Sequence, residues 1–130
     1  KSDYLDICYD PIIQSGGNFN LTNQIQSIKS DNNPLHYDKS VIIVMLGYKL
    51  RDYCSTIART YFIDASNEQI EIYNILLTVY KRGLIQLKTG NSLKKVYDTC
   101  IKTINKSNKP ELKNYLLKTL GWGIGIKFMD

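Results

Sequence analysis

The sequence predicts an α+β fold: a partial, mixed but mainly antiparallel sheet with helices packed on one side of it. Three observations carry this. Before Asp64 the apolar residues come in short β-branched blocks or alternate with a period of two. After Asp64 the period lengthens to about 3.6. The chain then closes on "GWGIGIKF", a glycine-rich stretch that reads as one more strand. Strands followed by helices and a returning strand indicate α+β organisation.

Taken in order, Ile7 to Ser15 reads as an extended segment ending in the turn Ser15–Gly17. Residues 21–28, "LTNQIQSI", suit a short polar strand, and "KSDNNP" from Lys29 to Pro34 is a loop by composition. "SVIIVMLG", Ser40 to Gly47, is apolar, β-branched and short, as a strand buried on both faces should be. "YKLRD" then gives a five-residue connection into an antiparallel partner, "YCSTIARTYFID", Tyr53 to Asp64. Alternation along that strand sets Cys54, Thr56, Ala58 and Thr60 on one face and Arg59 on the other.

Ser66 followed by Gln69 forms a capping box at the start of a helix whose stripe is Ile70, Tyr73, Leu77, Tyr80, Leu84 and Leu87. This helix ends near Gly90. Ser92 caps a second helix that buries Leu93, Val96, Tyr97, Cys100, Ile101 and Ile104. Pro110 suits the first turn of a third, shorter helix running through Leu112, Leu116 and Leu120.

The 130 residues, 43% of them hydrophobic, amount to one domain or part of one, and Lys1 is not a natural start. Residues 1–130 are therefore read as a fragment of a single domain. No apolar run approaches the ~20 residues of a membrane span, and the first residues lack the apolar core of a signal peptide. Cys8, Cys54 and Cys100 are odd in number and far apart, without a C-x-x-C pair, which suits reduced thiols in an intracellular chain. The net charge is +5 and uneven: residues 81–118 hold ten Lys or Arg against Asp98 and Glu111 alone. A surface including Lys94, Lys95, Lys102 and Lys106 suits an acidic partner or weak DNA contact, or is simply a solvated face.

The residues show no catalytic set. His36 is the single histidine, so thiolate chemistry at Cys54 would depend on it as base. H-E-x-x-H, G-x-S-x-G and phosphate-loop patterns are missing, and "GWGIG" follows a helix instead of opening one. Asp52 and Asp64 sit at opposite ends of one strand, too far apart to act as a pair.

The order of "PIIQSGG", "PLHYD", "VIIVMLG", "YCSTIARTYFID", "LKTGNSLKKVYD" and "GWGIGIKF" resembles the pita-bread metallopeptidase superfamily of methionine aminopeptidases, creatinases and prolidases. That resemblance implies two aspartate ligands at the positions held here by Met45 and Thr56, and a histidine ligand where Trp122 stands. It also implies substrate-directed histidines at His36, which is retained, and at Met129, with two glutamate ligands beyond Asp130. A thioether, a hydroxyl and an indole cannot replace hard oxygen and imidazole donors around a divalent pair. The wording of "YDPIIQSGGNFNL", "KKVYDTCIKTI" and "KPELKNYLLKTLG" is similar to a silent branch, the peptidase-like domains of FACT-type histone chaperones. The resemblance implies a nuclear, chromosomal, non-enzymatic module without metal or cofactor, acting in nucleosome reorganisation during transcription, replication and repair. Its implied partners are core histones, the tetramer-forming pair above the dimer-forming pair, and a second FACT subunit reached through other domains. Its implied peptide cleft is His36, Met45, Thr56, Trp122, Met129 and Asp130. The alternatives are a basic scaffold binding DNA or an acidic partner, or an active metalloaminopeptidase.

Overall fold

The computed structural model describes residues 4–17, 19–20, 28–31, 34 and 40–128. The chain divides into two compact units, residues 1–65 with 121–130, and residues 66–120. The expected polar strand at 21–28 falls almost wholly outside the described residues, as do His36, Met129 and Asp130.

The first unit is built on an antiparallel sheet of order β1-β2-β3, with β1 Leu5–Gln14, β2 Ser40–Leu50 and β3 Tyr53–Ile63. The continuous β-branched run makes β2 the central strand, although Ser40 to Leu46 are half-buried, Tyr48 and Leu50 are exposed and only Gly47 is buried. The ladder from β2 to β3 is regular from Ser40↔Ile63 to Leu50↔Tyr53. The connection is therefore two residues long and not five. Tyr48, Lys49 and Leu50 continue the ladder, and Arg51 and Asp52 turn the chain with φ of 48° and 66°. Two left-handed residues in succession match the right-handed twist of the flanking strands. Arg51 is steadied there by its N–H, which donates to the Tyr4 carbonyl (2.9 Å), and by its guanidinium 5.2 Å from the Tyr4 ring centroid.

β1 pairs less evenly. Its register against β2 slips between Ile7 and Tyr9 and again between Tyr9 and Ile12. Pro11 lies inside the second slip and has no N–H to give the ladder. The outer edge of β1 is satisfied by residues 28–31: the Ser30 hydroxyl accepts from Ile13 N and donates to Pro11 O, and Asp31 N donates to Ile13 O. Buried Gln14 donates to Lys29 O and accepts from Asn20 N, and the Ser15 N–H donates to the Asp31 carboxylate. These two buried polar residues thus have their partners.

Residues 121–124 have no regular structure and 125–128 form bends, in place of the expected strand. A strand needs a ladder, and this segment meets β3 through a single backbone bond, Cys54 N to Gly125 O at 2.7 Å. Its other groups turn back on themselves, with Gly125 N donating to Lys127 O and Trp122 Nε1 to Phe128 O.

The second unit is a helical hairpin of α1 Asn67–Gln86 and α2 Leu93–Asn105, followed by a 3-10 helix, Pro110–Tyr115. The capping box at α1 is complete: Ser66 Oγ accepts from Gln69 N and the Gln69 side chain accepts from Ser66 N. Ser92 caps α2 through Lys95 N. The third segment is 3-10 and not α because Pro110 starts it without a side-chain cap and Leu116 is already extended. The core seam is Val79, Cys100 and Ile104, with Ile75, Leu112 and Leu116 against it. α1 therefore meets α2 through Ile75, Val79 and Gly83, at i, i+4 spacing, and not through the stripe expected from periodicity. Ile70, Tyr80, Leu84 and Leu87 of that stripe are exposed, as is Leu93 of α2. Gly83 permits the close approach, since a Cβ there would lie 3.1 Å from Cys100 Sγ.

Candidate functional site

Cross-strand pairing decides which side chains share a sheet face. Tyr9, Gly47 and Thr56 stand in one row, and Ile12, Met45 and Ala58 in the next. Directly paired residues point to the same side. Because Gly47 has no side chain, the Tyr9 ring lies across it, and a Cβ built there would fall 2.3 Å from Tyr9 Cε1. The phenol reaches over the central strand to Thr56 Oγ1 at 2.6 Å. Thr56 Oγ1 donates to Leu46 O at 3.1 Å, so its proton is committed and the Tyr9 hydroxyl is the donor to it. The result is a relay from Tyr9 to Thr56 to the backbone of β2.

An aromatic cluster backs this relay. The Tyr9 and Phe128 rings are 5.0 Å apart and tilted at 60°, and Phe128 meets Trp122 edge-on at 6.2 Å. These separations lie in the favourable range for aromatic pairs. Tyr9, Met45, Trp122 and Phe128 all pack on buried Ile12 and Ile28. Met45 and Trp122 thus share one cluster, and Thr56 is tied to it through Tyr9. Burial pushes the Tyr9 phenol above its ordinary value.

The cysteines take no part in an activated pair that the described residues show. Cys54 is buried, and its thiol lies 3.7 Å from Ile126 O. Burial, and then a hydrogen bond with Cys54, push the Cys8 thiol up, and burial does the same to Cys100. Thiols shifted this way are poorer nucleophiles near neutral pH. Of the four lysines on the basic surface expected from sequence, Lys102 and Lys106 line one groove between α1 and α2. Lys95 instead bonds Asn91, and Lys94 lies outside the groove.

The profile of metallopeptidase family M24 matches residues 1–130. The chain belongs to metallopeptidase family M24. Within it, the chain is similar to the FACT complex subunit SPT16 of Dictyostelium discoideum, at 42% identity over 128 residues. That match covers 98% of this chain but 12% of the relative. The solved N-terminal domain of the FACT complex subunit SPT16 from chickpea superposes with a TM-score of 0.91 at 42% identity, over 99% of this chain and 30% of that one. A prolidase from Pyrococcus furiosus superposes at 0.77 over 95% of this chain and 35% of its own, and at 23% identity shows the shared pita-bread fold alone.

An M24 metal pair would need carboxylate and imidazole donors, and Met45, Thr56 and Trp122 do not fit one. Among the described residues no three His, Cys, Asp or Glu side chains gather. Among the same residues, no helix is long and apolar enough to cross a membrane. Tyr9, Gly47 and Phe128 are the site residues that sequence reasoning missed. The available signal was one tyrosine in a β-rich segment and a glycine in an otherwise unbroken apolar strand; only the register joins them.

Proposed function

We propose that this chain is a non-enzymatic recognition module of a FACT-type histone chaperone. It works in the nucleus on chromosomes, in nucleosome reorganisation during transcription, replication and repair. One observation carries the proposal: Met45, Thr56 and Trp122, at the positions that the resemblance gives to M24 ligands, are joined through Tyr9 and Phe128 into an apolar and hydrogen-bonded cluster. The peptide cleft is then Met45, Thr56 and Trp122 together with His36, Met129 and Asp130, and its ligand is an extended histone segment paired along a strand edge. Charge agrees with this. The sheet unit carries eight Asp or Glu against seven Lys or Arg, whereas the helical unit carries four against ten and repels a basic tail. The favoured partner is the tetramer-forming core-histone pair, with the second FACT subunit engaged through other domains.

Calorimetric titration with each core-histone pair tests the reading, with Trp122→Ala as the cleft variant. The tetramer-forming pair should bind more tightly and Trp122→Ala should weaken it about ten-fold, as expected for an aromatic anchor. Equal affinity of the folded variant and the parent would remove the cleft from the account.

A further inference from the structure

A second surface carries its own chemistry. The groove between α1 and α2, about 910 Å³ in volume, lies wholly within the helical unit. Its cations are Arg82 from α1 and Lys102 and Lys106 from α2, and its single carboxylate is Glu71. That carboxylate is already taken, by Lys109 at 3.7 Å and by the Asn108 amide. Among the described residues, no ion pair reaches Arg82, Lys102 or Lys106. The groove therefore holds three positive charges, and its one carboxylate is engaged by other residues.

The lining between these cations asks for little water. Thr78, Thr99, Thr103 and Ser107 donate their hydroxyl protons back to carbonyls of their own helices, at 2.7 to 2.9 Å. Ile70 and Ile75 add apolar surface beside them. A surface whose hydroxyls are satisfied and whose floor is partly apolar can be covered at low desolvation cost. The cations can then meet the ligand's charge in a less polar setting, where ion pairs count for more.

Spacing narrows the ligand. Lys102 and Lys106 are one turn apart, about 6 Å along the axis. Carboxylates on alternate residues of an extended chain repeat at about 6.6 Å on one side. Arg82, whose helix neighbour Gly83 lies beside Cys100, comes level with the turn of α2 preceding Lys102. The three cations thus form a short file along the groove. Such a file suits a single extended chain, and Ile70 and Ile75 beside it favour a partly apolar one over the uniformly polar backbone of DNA.

We propose that the α1–α2 groove docks an acidic, partly apolar peptide segment of another protein, held by Arg82, Lys102 and Lys106. This is separate from the cleft on the sheet face and stands or falls independently of it. Fluorescence anisotropy on the whole protein tests it, with three labelled probes at low and high salt. The probes are a short peptide alternating glutamate with leucine and serine, an all-glutamate peptide of equal charge, and a DNA duplex. The mixed peptide should bind most tightly, with affinity that falls as salt rises. Lys102→Glu/Lys106→Glu should weaken it about ten-fold or more, while Lys94→Glu/Lys113→Glu, outside the groove, should change it less than about two-fold. Far-UV spectra and urea midpoints check folding, and Lys102→Gln/Lys106→Gln replaces the double reversal if it fails that check. The proposal is overturned if the peptide does not bind at low salt, if both lysine pairs matter equally, or if the duplex outcompetes the peptide for the same lysines.

Discussion

At the scale of single residues, the position that matters most is the one with no side chain. Gly47 lets Tyr9 span the central strand, so Gly47→Ala must displace the ring and break its bond to Thr56. We expect a loss of about 1–3 kcal/mol, as for overpacked sites, read as a lower urea midpoint with an unchanged slope. Tyr9→Phe keeps the ring and removes only the hydroxyl donor, at a cost of about 1 kcal/mol. The parent and Tyr9→Phe should differ also in pH dependence. Burial raises the Tyr9 phenol above its ordinary 10.0, so the folded state favours the neutral form. The stability this contributes is complete below about pH 10 and is lost as pH rises through the raised folded value. An alkaline denaturation limb should therefore be present in the parent and reduced in Tyr9→Phe; equal limbs would assign that limb to other groups. None of this was legible in the sequence. Thr56 drew notice because it stands where a carboxylate would, but the residue that bonds it is 47 positions away, across a register that slips twice.

At the scale of elements, the local signals held where their partners are local. Ser66 and Gln69 are three residues apart, and the capping box they announce is complete. Ser66→Ala removes the acceptor for Gln69 N and should cost about 1 kcal/mol, seen as a lower thermal midpoint of the helical signal; no change would mean that the cap is redundant. The β2–β3 pair was legible for the same reason, from β-branched content and alternation. Its turn was not, because Arg51 and Asp52 are unusual in a left-handed pair and lack the glycine that normally marks one. "GWGIGIKF" was misread as a strand because composition cannot say whether a ladder partner is present. Periodicity likewise found α1 but chose the wrong stripe. A helix with Ile, Leu, Tyr or Val on most of its circumference offers several stripes, and the seam at Ile75, Val79 and Gly83 is decided by what α2 presents.

For the whole molecule, the family frame explains what local rules do not. The pita-bread fold was recognisable from the order of short motifs across the chain, and residues 1–130 match M24 throughout. On the proposed reading the fold does not depend on a metal, because Met45, Thr56 and Trp122, which offer no carboxylate or imidazole, stand where ligands are expected. A ligand that binds the native state raises its melting temperature by mass action. Millimolar manganese, cobalt or zinc should therefore leave the melting temperature of the protein unchanged. A rise with any of them would show a native-state metal site and would count against the non-enzymatic reading. The charge division is the other global property. The protein's excess of positive charge resides in residues 66–120, so its two units suit partners of different sign.

The tyrosine laid over Gly47 also bears on the history of such a domain. If position 56 is a lost ligand position, as proposed, an aspartate there would accept from Tyr9 and would be one ligand with no companion. Changing Met45 first would sink a lone charge among Ile12, Ile28 and the rings. Each single step back toward a working metal centre is thus uphill before any benefit arrives. On that reading Tyr9 works as a ratchet tooth: with its ring across the glycine, a metal centre at these positions would call for several changes at once.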